Sequence, residues 1–426
     1  MTAELKTLLR EPQTVEDLHI PQNIVIDLIL RLLFSEGNVA LSRMVQVIRV
    51  NSQILDKLLL WMQREHLVEV SQAGTGLGRL GYVYSLTEAG QARARDALER
   101  SQYVGPAPVP VHYYNKGLEL QTQTAQQVRP EQVQKALKGL ILPGDFHRRI
   151  GPAVNSGSSL FLYGPPGNGK TTIAQAIGRL IGGTDPIWIP YAITAGGYII
   201  QIYDRLIHQR INIESGRTAE LGRFDRRWGL FRRPSVMVGG ELKMESLDLR
   251  YDPVAKFYEA PLQLKANGGM FLIDDFGRQQ VSPSDLLNRW IVPLESRVDF
   301  LRLRSGQTIV VPFRQLIVFS TNLDPNDLVD DAFLRRIQIK VKVEGPDQRR
   351  FFQIFAVMCR QMNIPFDKQS FAHLLHKWYI QPKRVMQSVH PRDILRTITA
   401  ICEYEGTKPR LTPQLVDEAC RNYFVD

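Results

Sequence analysis

Cysteine is scarce in this chain, and its scarcity excludes two classes at once. Only Cys359, Cys402 and Cys420 occur among 426 residues. They stand far apart, without the paired spacing of a metal site, and three thiols cannot make a dense disulfide framework. The pattern predicts buried thiols in a reducing compartment. Long apolar runs are missing too: no stretch approaches the ~18 residues of a membrane span. Met1-Thr2-Ala3-Glu4-Leu5-Lys6 lacks the basic and then apolar order of a secretory signal. A cytoplasmic location is therefore expected. There is no internal repeat and no long low-complexity tract.

What is present is an ordinary globular composition, 44% apolar and 23% charged, with a net charge of +10. At this length two or three domains of roughly 100–200 residues are expected. A positive balance favours an anionic partner, but its placement matters more than its sum. Residues 1–100 hold 11 Lys and Arg against 12 Asp and Glu, so the excess lies after them.

Residues 22–34 form a strongly apolar helical stretch that Gly37 should end. A second begins near Leu41. Asn51-Ser52 can cap a third, which carries Ile54, Leu55, Leu58, Leu59 and Met62 at helical spacing. Two strand-like runs, Leu67–Val70 and Tyr82–Leu86, flank a linker with Gly74, Gly76, Gly78 and Gly81. Thr87 then opens a charged helix to about Arg100. This order resembles a winged-helix domain over residues 1–102. Lys57 and Arg64 are offset by Asp56 and Glu65 on the third helix, so protein contact is expected ahead of DNA contact. Pro106, Pro108 and Pro110 predict a semi-rigid spacer, and a linker is assigned to 103–130.

The most specific signal is Gly164-Pro165-Pro166-Gly167-Asn168-Gly169-Lys170-Thr171, followed by Thr172. It fulfils G-x-x-x-x-G-K-[ST] between an apolar run, Ser159–Tyr163, and a helical pattern beginning at Thr172. Strand, glycine loop and helix N-terminus aim backbone N–H groups at phosphate oxygens. Lys170 would reach the β- and γ-phosphates of a nucleoside triphosphate, and Thr171 would give its hydroxyl to Mg2+. Further on, the apolar run Met270–Ile273 delivers Asp274 and Asp275, the first suited to Mg2+ and the second to orienting a water. A third apolar run, Leu316–Ser320, leads to Asn322, which can reach the γ-phosphate or its water. Arg335 and Arg336 precede another strand, and Arg392 opens a helix.

In this order the set resembles the AAA+ ATPase family, from about Gly139 to the C-terminus. The resemblance implies an α/β core of parallel strands with helices on both faces over 131–345, an insert at about 184–265, and a helical lid over 346–426. It puts Asn322 in the sensor 1 place, Arg335 or Arg336 in the arginine-finger place and Arg392 in the sensor 2 place. It also implies a homo-oligomeric ring, most often of six. The family usually ends its second motif Asp-Glu. Asp274-Asp275 departs from that and looks similar to some helicase-loader and transposition ATPases.

Two stretches of the insert stand out. Arg223, Arg226, Arg227, Arg232 and Arg233 alternate with Phe224, Trp228 and Phe231, a mixture able to stack bases and neutralise phosphates. Nucleic acid is a candidate partner through Arg223–Arg233. Tyr251–Glu259 reads as an aromatic-rich loop that could grip a substrate. The leading expectation is Mg-ATP hydrolysis coupled to remodelling of a protein or complex. Its rivals are a nucleic-acid ATPase of the loader or transposition type and a nucleotide-gated scaffold with little turnover.

Overall fold

The computed structural model describes residues 1–72, 78–123, 127–157, 159–212, 223–328 and 334–424. Gly74 and Gly76, read above as part of a linker, lie outside the described residues. The chain divides into two compact units. One comprises residues 1–127, 181–271 and 285–316, and the other 128–180, 272–284 and 317–426.

After a short helix, Ala3–Leu8, the first unit has the helices that the apolar spacing predicts, Gln22–Glu36, Leu41–Ile48 and Ser52–Arg64. The Asn51 side chain accepts from the Gln53 N–H, and Ile54, Leu55, Leu58, Leu59 and Met62 are buried. Strands Val68–Gln72 and Val83–Leu86 pair antiparallel, and Val39–Ala40 adds to the second of them. Thr87 caps the helix Glu88–Arg100 by accepting from the Gly90 N–H. That helix is tied back by charge. Buried Arg31 donates to the carbonyls of Ala97 and Tyr103, while Arg100 pairs with Asp27 at 2.8 Å.

The proline-rich segment is not a spacer. Tyr103, Ala107 and Val109 are buried, and Val109–Pro110 pairs in parallel with Ala192–Ala195. Proline suits this place, because an edge strand can lack a donor without losing a ladder bond. The strand belongs to a five-stranded sheet in the order Arg250–Asp252, Phe257–Glu259, Tyr198–Gln201, Ala192–Ala195, Val109–Pro110. The expected gripping loop is thus a hairpin, with Arg250–Asp252 antiparallel to Phe257–Glu259 and Tyr258 only 1% exposed. The insert therefore shares a core with the N-terminal residues.

The Arg/aromatic segment is also corrected. Trp228 and Phe231 are buried, and Phe224 is half-buried against Trp188. Buried Arg227 grips Asp225 at 2.7 Å and donates to the carbonyls of Leu18 and Pro108. Arg233 donates to the carbonyls of Asp185 and Gly268. Burying an aromatic side chain contributes about 1.5–3 kcal/mol, so these rings serve the core. They form no continuous stacking surface.

The second unit holds the candidate site. A five-stranded sheet has the order Ser235–Val238, Met270–Ile273, Leu316–Thr321, Ser159–Tyr163, Ile339–Lys342; Ser159–Tyr163, Ile339–Lys342 and nearly all of Leu316–Thr321 fall in this unit. Ser159–Tyr163 runs parallel to both of its neighbours. Leu160, Phe161, Leu162, Ile317, Val318 and Phe319 are fully buried, as expected for a parallel sheet covered on both faces. The glycine loop Gly164–Gly169 leaves the carboxyl end of Ser159–Tyr163, where open α/β sheets hold ligands. After it come the helix Lys170–Gly182 and, beyond the last strand, a helical region with Gln348–Gln361, Lys368–Leu375, His390–Tyr404 and Pro413–Tyr423. Cys359, Cys402 and Cys420 are free thiols buried in that region. Burial pushes Cys359 up to about 11 and Cys420 up to about 12, which keeps both protonated.

Candidate nucleotide site

The loop from Gly164 to Gly169 is shaped by its glycines. Gly164 has φ +133°, and a Cβ there would lie 2.5 Å from the Val343 carbonyl oxygen. Gly167, at φ +73°, would place a Cβ 2.8 Å from Val389. No other residue fits either place without displacing its neighbours. The loop closes over Lys170, whose Nζ donates to the carbonyls of Gly164 at 2.7 Å and Pro165 at 2.9 Å. Burial pulls the Lys170 pKa below its usual value, and the charges of Asp275 and Asp274 oppose that shift. A partly desolvated cation held near two carboxylates is poised for phosphate oxygens.

Asp274 and Asp275 follow the fully buried strand Met270–Ile273 and face different surroundings. Asp274 is only 8% exposed, and its Oδ1 is buried without a hydrogen-bond partner. An orphaned buried carboxylate oxygen is costly unless a cation or water completes it. Asp274 therefore fits a divalent ion, with Thr171 half-buried at the start of the helix as the second protein oxygen. Asp275 adopts φ +49°, uncommon for a residue with a side chain. The turn is braced on several sides. The Phe276 N–H donates to the Ser320 carbonyl, and the Thr321 hydroxyl donates to the Phe276 carbonyl. Gln279 donates to the carbonyls of both Asp274 and Asp275. Asn322 Nδ2 donates to Asp275 Oδ1 at 3.2 Å, so the residue proposed to sense phosphate touches the residue proposed to orient water.

A cavity of about 270 Å3 opens beside Gly167, Asn168, Gly169 and Thr172. Arg392 lines it and pairs with Asp393 at 2.8 Å. The remaining walls were not read from the sequence. Gly139–Leu142 on one side and Ile354, Val357 and Met358 on another give it an apolar character suited to a nucleoside base. The run Gly139-Leu140-Ile141-Leu142 was a visible signal, an apolar stretch before the phosphate-loop strand. The clamp on the loop had none: the Val389 N–H donates to the Gly167 carbonyl, and the Ser388 N–H donates to the side chain of buried Asn168.

Comparisons with known proteins add little beyond this. A family model described as a domain of unknown function (DUF8689) matches residues 347–422, within the helical region. No curated protein matches the sequence. Among solved structures, the chain is similar to NtrX from Brucella abortus at 13% identity and TM-score 0.40, over 72% of this chain. It spans 57% of the length of that NtrX chain. It is also similar to two mutant forms of Thermotoga maritima RuvB. One gives 13% identity and TM-score 0.36, over 70% of this chain and 72% of the other. The second gives 13% identity and TM-score 0.35, over 70% of this chain and 71% of the other. The chemistry of the site rests on its own geometry.

Arg335 and Arg336 are placed elsewhere. Neither lines the cavity. Arg335 is exposed, and the backbone carbonyl of Arg336 accepts from the Ser159 hydroxyl at 3.2 Å. Pro165 and Pro166 are exposed on the outer turn of the loop. The structure thus brings Lys170, Asp274, Asp275 and Asn322 together, adds Thr172 and Arg392 at the cavity, and leaves the arginine pair outside.

Proposed function

We propose that this protein binds Mg-ATP at the loop Gly164–Thr171 and hydrolyses it. One observation carries the reading: a buried lysine inside a glycine loop, faced by two acidic residues of which one has an orphaned oxygen and the other is held by Asn322. Lys170 and the loop N–H groups bind the β- and γ-phosphates, and Arg392 reaches the nucleotide from the helical lid. Thr171 and Asp274 hold Mg2+, which when bound would neutralise charge developing on the phosphates. Asp275 orients the attacking water, with Asn322 fixing its carboxylate. The family resemblance extends this to a ring, probed below through Arg335 and Arg336. It extends also to remodelling of a protein or complex, with the winged-helix-like residues 1–102 selecting the target.

The test is nucleotide affinity in Lys170→Ala. Hydrogen bonds to charged groups contribute about 1.5–3 kcal/mol, so affinity for ATP should fall about 10–100-fold, with ATPase activity lost. Unchanged affinity in the folded variant would make the loop a structural turn.

A further inference from the structure

Asn168 stands at an open position of the glycine-loop pattern, which asks for no particular residue there. It is nevertheless only 4% exposed, and both ends of its carboxamide are engaged. Nδ2 donates to the Pro165 carbonyl at 3.3 Å, inside the loop. Oδ1 accepts from the Ser388 N–H at 3.1 Å, in a segment 220 residues away. Beside this bond the Val389 N–H donates to the Gly167 carbonyl at 2.9 Å. A buried amide satisfied at both ends fixes what it joins, because moving either partner leaves a desolvated polar atom.

What it joins is the glycine loop and the first turn of the helix His390–Tyr404. Val389 is the N-cap of that helix, and its carbonyl accepts from the Asp393 N–H. Arg392 follows Val389 by three residues and Ser388 by four. Residues three and four apart share a helix face, and Ser388, Val389 and Arg392 all line the cavity that Asn168 lines. We propose that Asn168 is a positioning residue. Through Ser388 it sets the first turn of the helix, and so the place from which Arg392 meets the nucleotide. The proposal rests on the reading of this cavity as a nucleotide site. It differs from a purely local role in one respect: the effect of Asn168 travels through Arg392, whereas a residue that only shaped the loop would act on phosphate binding by itself.

The experiment is a double-mutant cycle on the full chain, read as affinity for a fluorescent ATP analogue with Mg2+, with Lys170→Ala in parallel. Arg392→Ala should weaken binding about tenfold, the loss of one hydrogen bond to a charged group. Asn168→Ala should weaken it about tenfold as well. Residues that act through one another are not additive, so the double variant should also lose about tenfold rather than about a hundredfold. Asn168→Leu roughly keeps the volume and loses both hydrogen bonds. It should match Asn168→Ala, and it serves in place of the alanine variant if that protein does not fold. Amide hydrogen exchange of residues 386–392 should quicken in Asn168→Leu, because the Ser388 N–H has lost its acceptor. The proposal is overturned if the loss on changing Asn168 is as large in the Arg392→Ala background as in the wild type. It is equally overturned if Asn168→Leu binds as the wild type does or leaves exchange at 386–392 unchanged. Undiminished affinity in Lys170→Ala would instead remove the nucleotide reading, and this proposal with it.

Discussion

At the scale of single residues, Asp274 and Asp275 show how neighbours in sequence come to different surroundings. The strand Met270–Ile273 buries its end, so Asp274 loses water and keeps an orphaned oxygen. One residue on, the chain turns at φ +49° and presents Asp275 to Asn322. Asp275→Asn removes a charge with little change in volume. It should leave ATP affinity within about twofold and lower the hydrolysis rate about 10²–10³-fold, the range for removing one preorganised electrostatic group. Asp274→Asn should instead shift the Mg2+ concentration needed for half-maximal activity upward. Single-turnover kinetics with a magnesium titration would separate the two, and equal loss of nucleotide binding in both would contradict the division of roles.

At the scale of elements, the helix His390–Tyr404 is set by its first turn. Val389 holds the phosphate loop through the Gly167 carbonyl, and Arg392 reaches the cavity two residues after His390. His390 is buried against Tyr379, Tyr423 and Phe424, and its Nδ1 lies 3.0 Å from the Tyr379 hydroxyl. Burial lowers its pKa to about 4, partly opposed by Asp393. The folded value lies below the unfolded one, so the unfolded chain binds the extra proton. Stability is therefore full above about pH 6.5 and is lost as pH falls towards 4, by roughly 2–3 kcal/mol. Thermal melts across that window should show the loss in wild type. His390→Phe, which keeps the ring contacts and cannot titrate, should flatten the profile. An unchanged profile in the variant would assign the acid sensitivity elsewhere.

At the scale of the whole molecule, Arg335 and Arg336 do not line the cavity of their own chain, and the proposed ring assigns one of them to a neighbour's nucleotide. The proposed ring makes a specific demand. An Arg335→Ala/Arg336→Ala protein and a Lys170→Ala protein should each be inactive alone. Mixed, they should regain part of the wild-type ATPase rate, because some interfaces then combine an intact loop with an intact arginine pair. Full activity of the wild type at dilutions where mass measurement finds only monomer would remove the need for a shared site. Charge belongs to this scale too. The excess behind the net charge of +10 lies after residue 100.

The glycine loop Gly164–Gly169, the strands that lead to Asp274 and Asn322, and the helices 22–36 and 52–64 were legible because local rules govern them. A glycine loop needs its glycines at fixed places, a doubly covered strand needs a continuous apolar run, and a helix face needs apolar residues at its period. The α/β class followed from the same signals. The cavity walls at Ile354, Val357 and Met358, the clamp from Ser388 and Val389, and the brace from Gln279 were decided by contacts between distant segments. So was the fate of the prolines at 106–110 and of Trp228 and Phe231. Composition marked them as spacer and stacking surface, but the hydrophobic effect rewards whichever apolar area can be covered, and the partners that cover it are set only when the chain has folded.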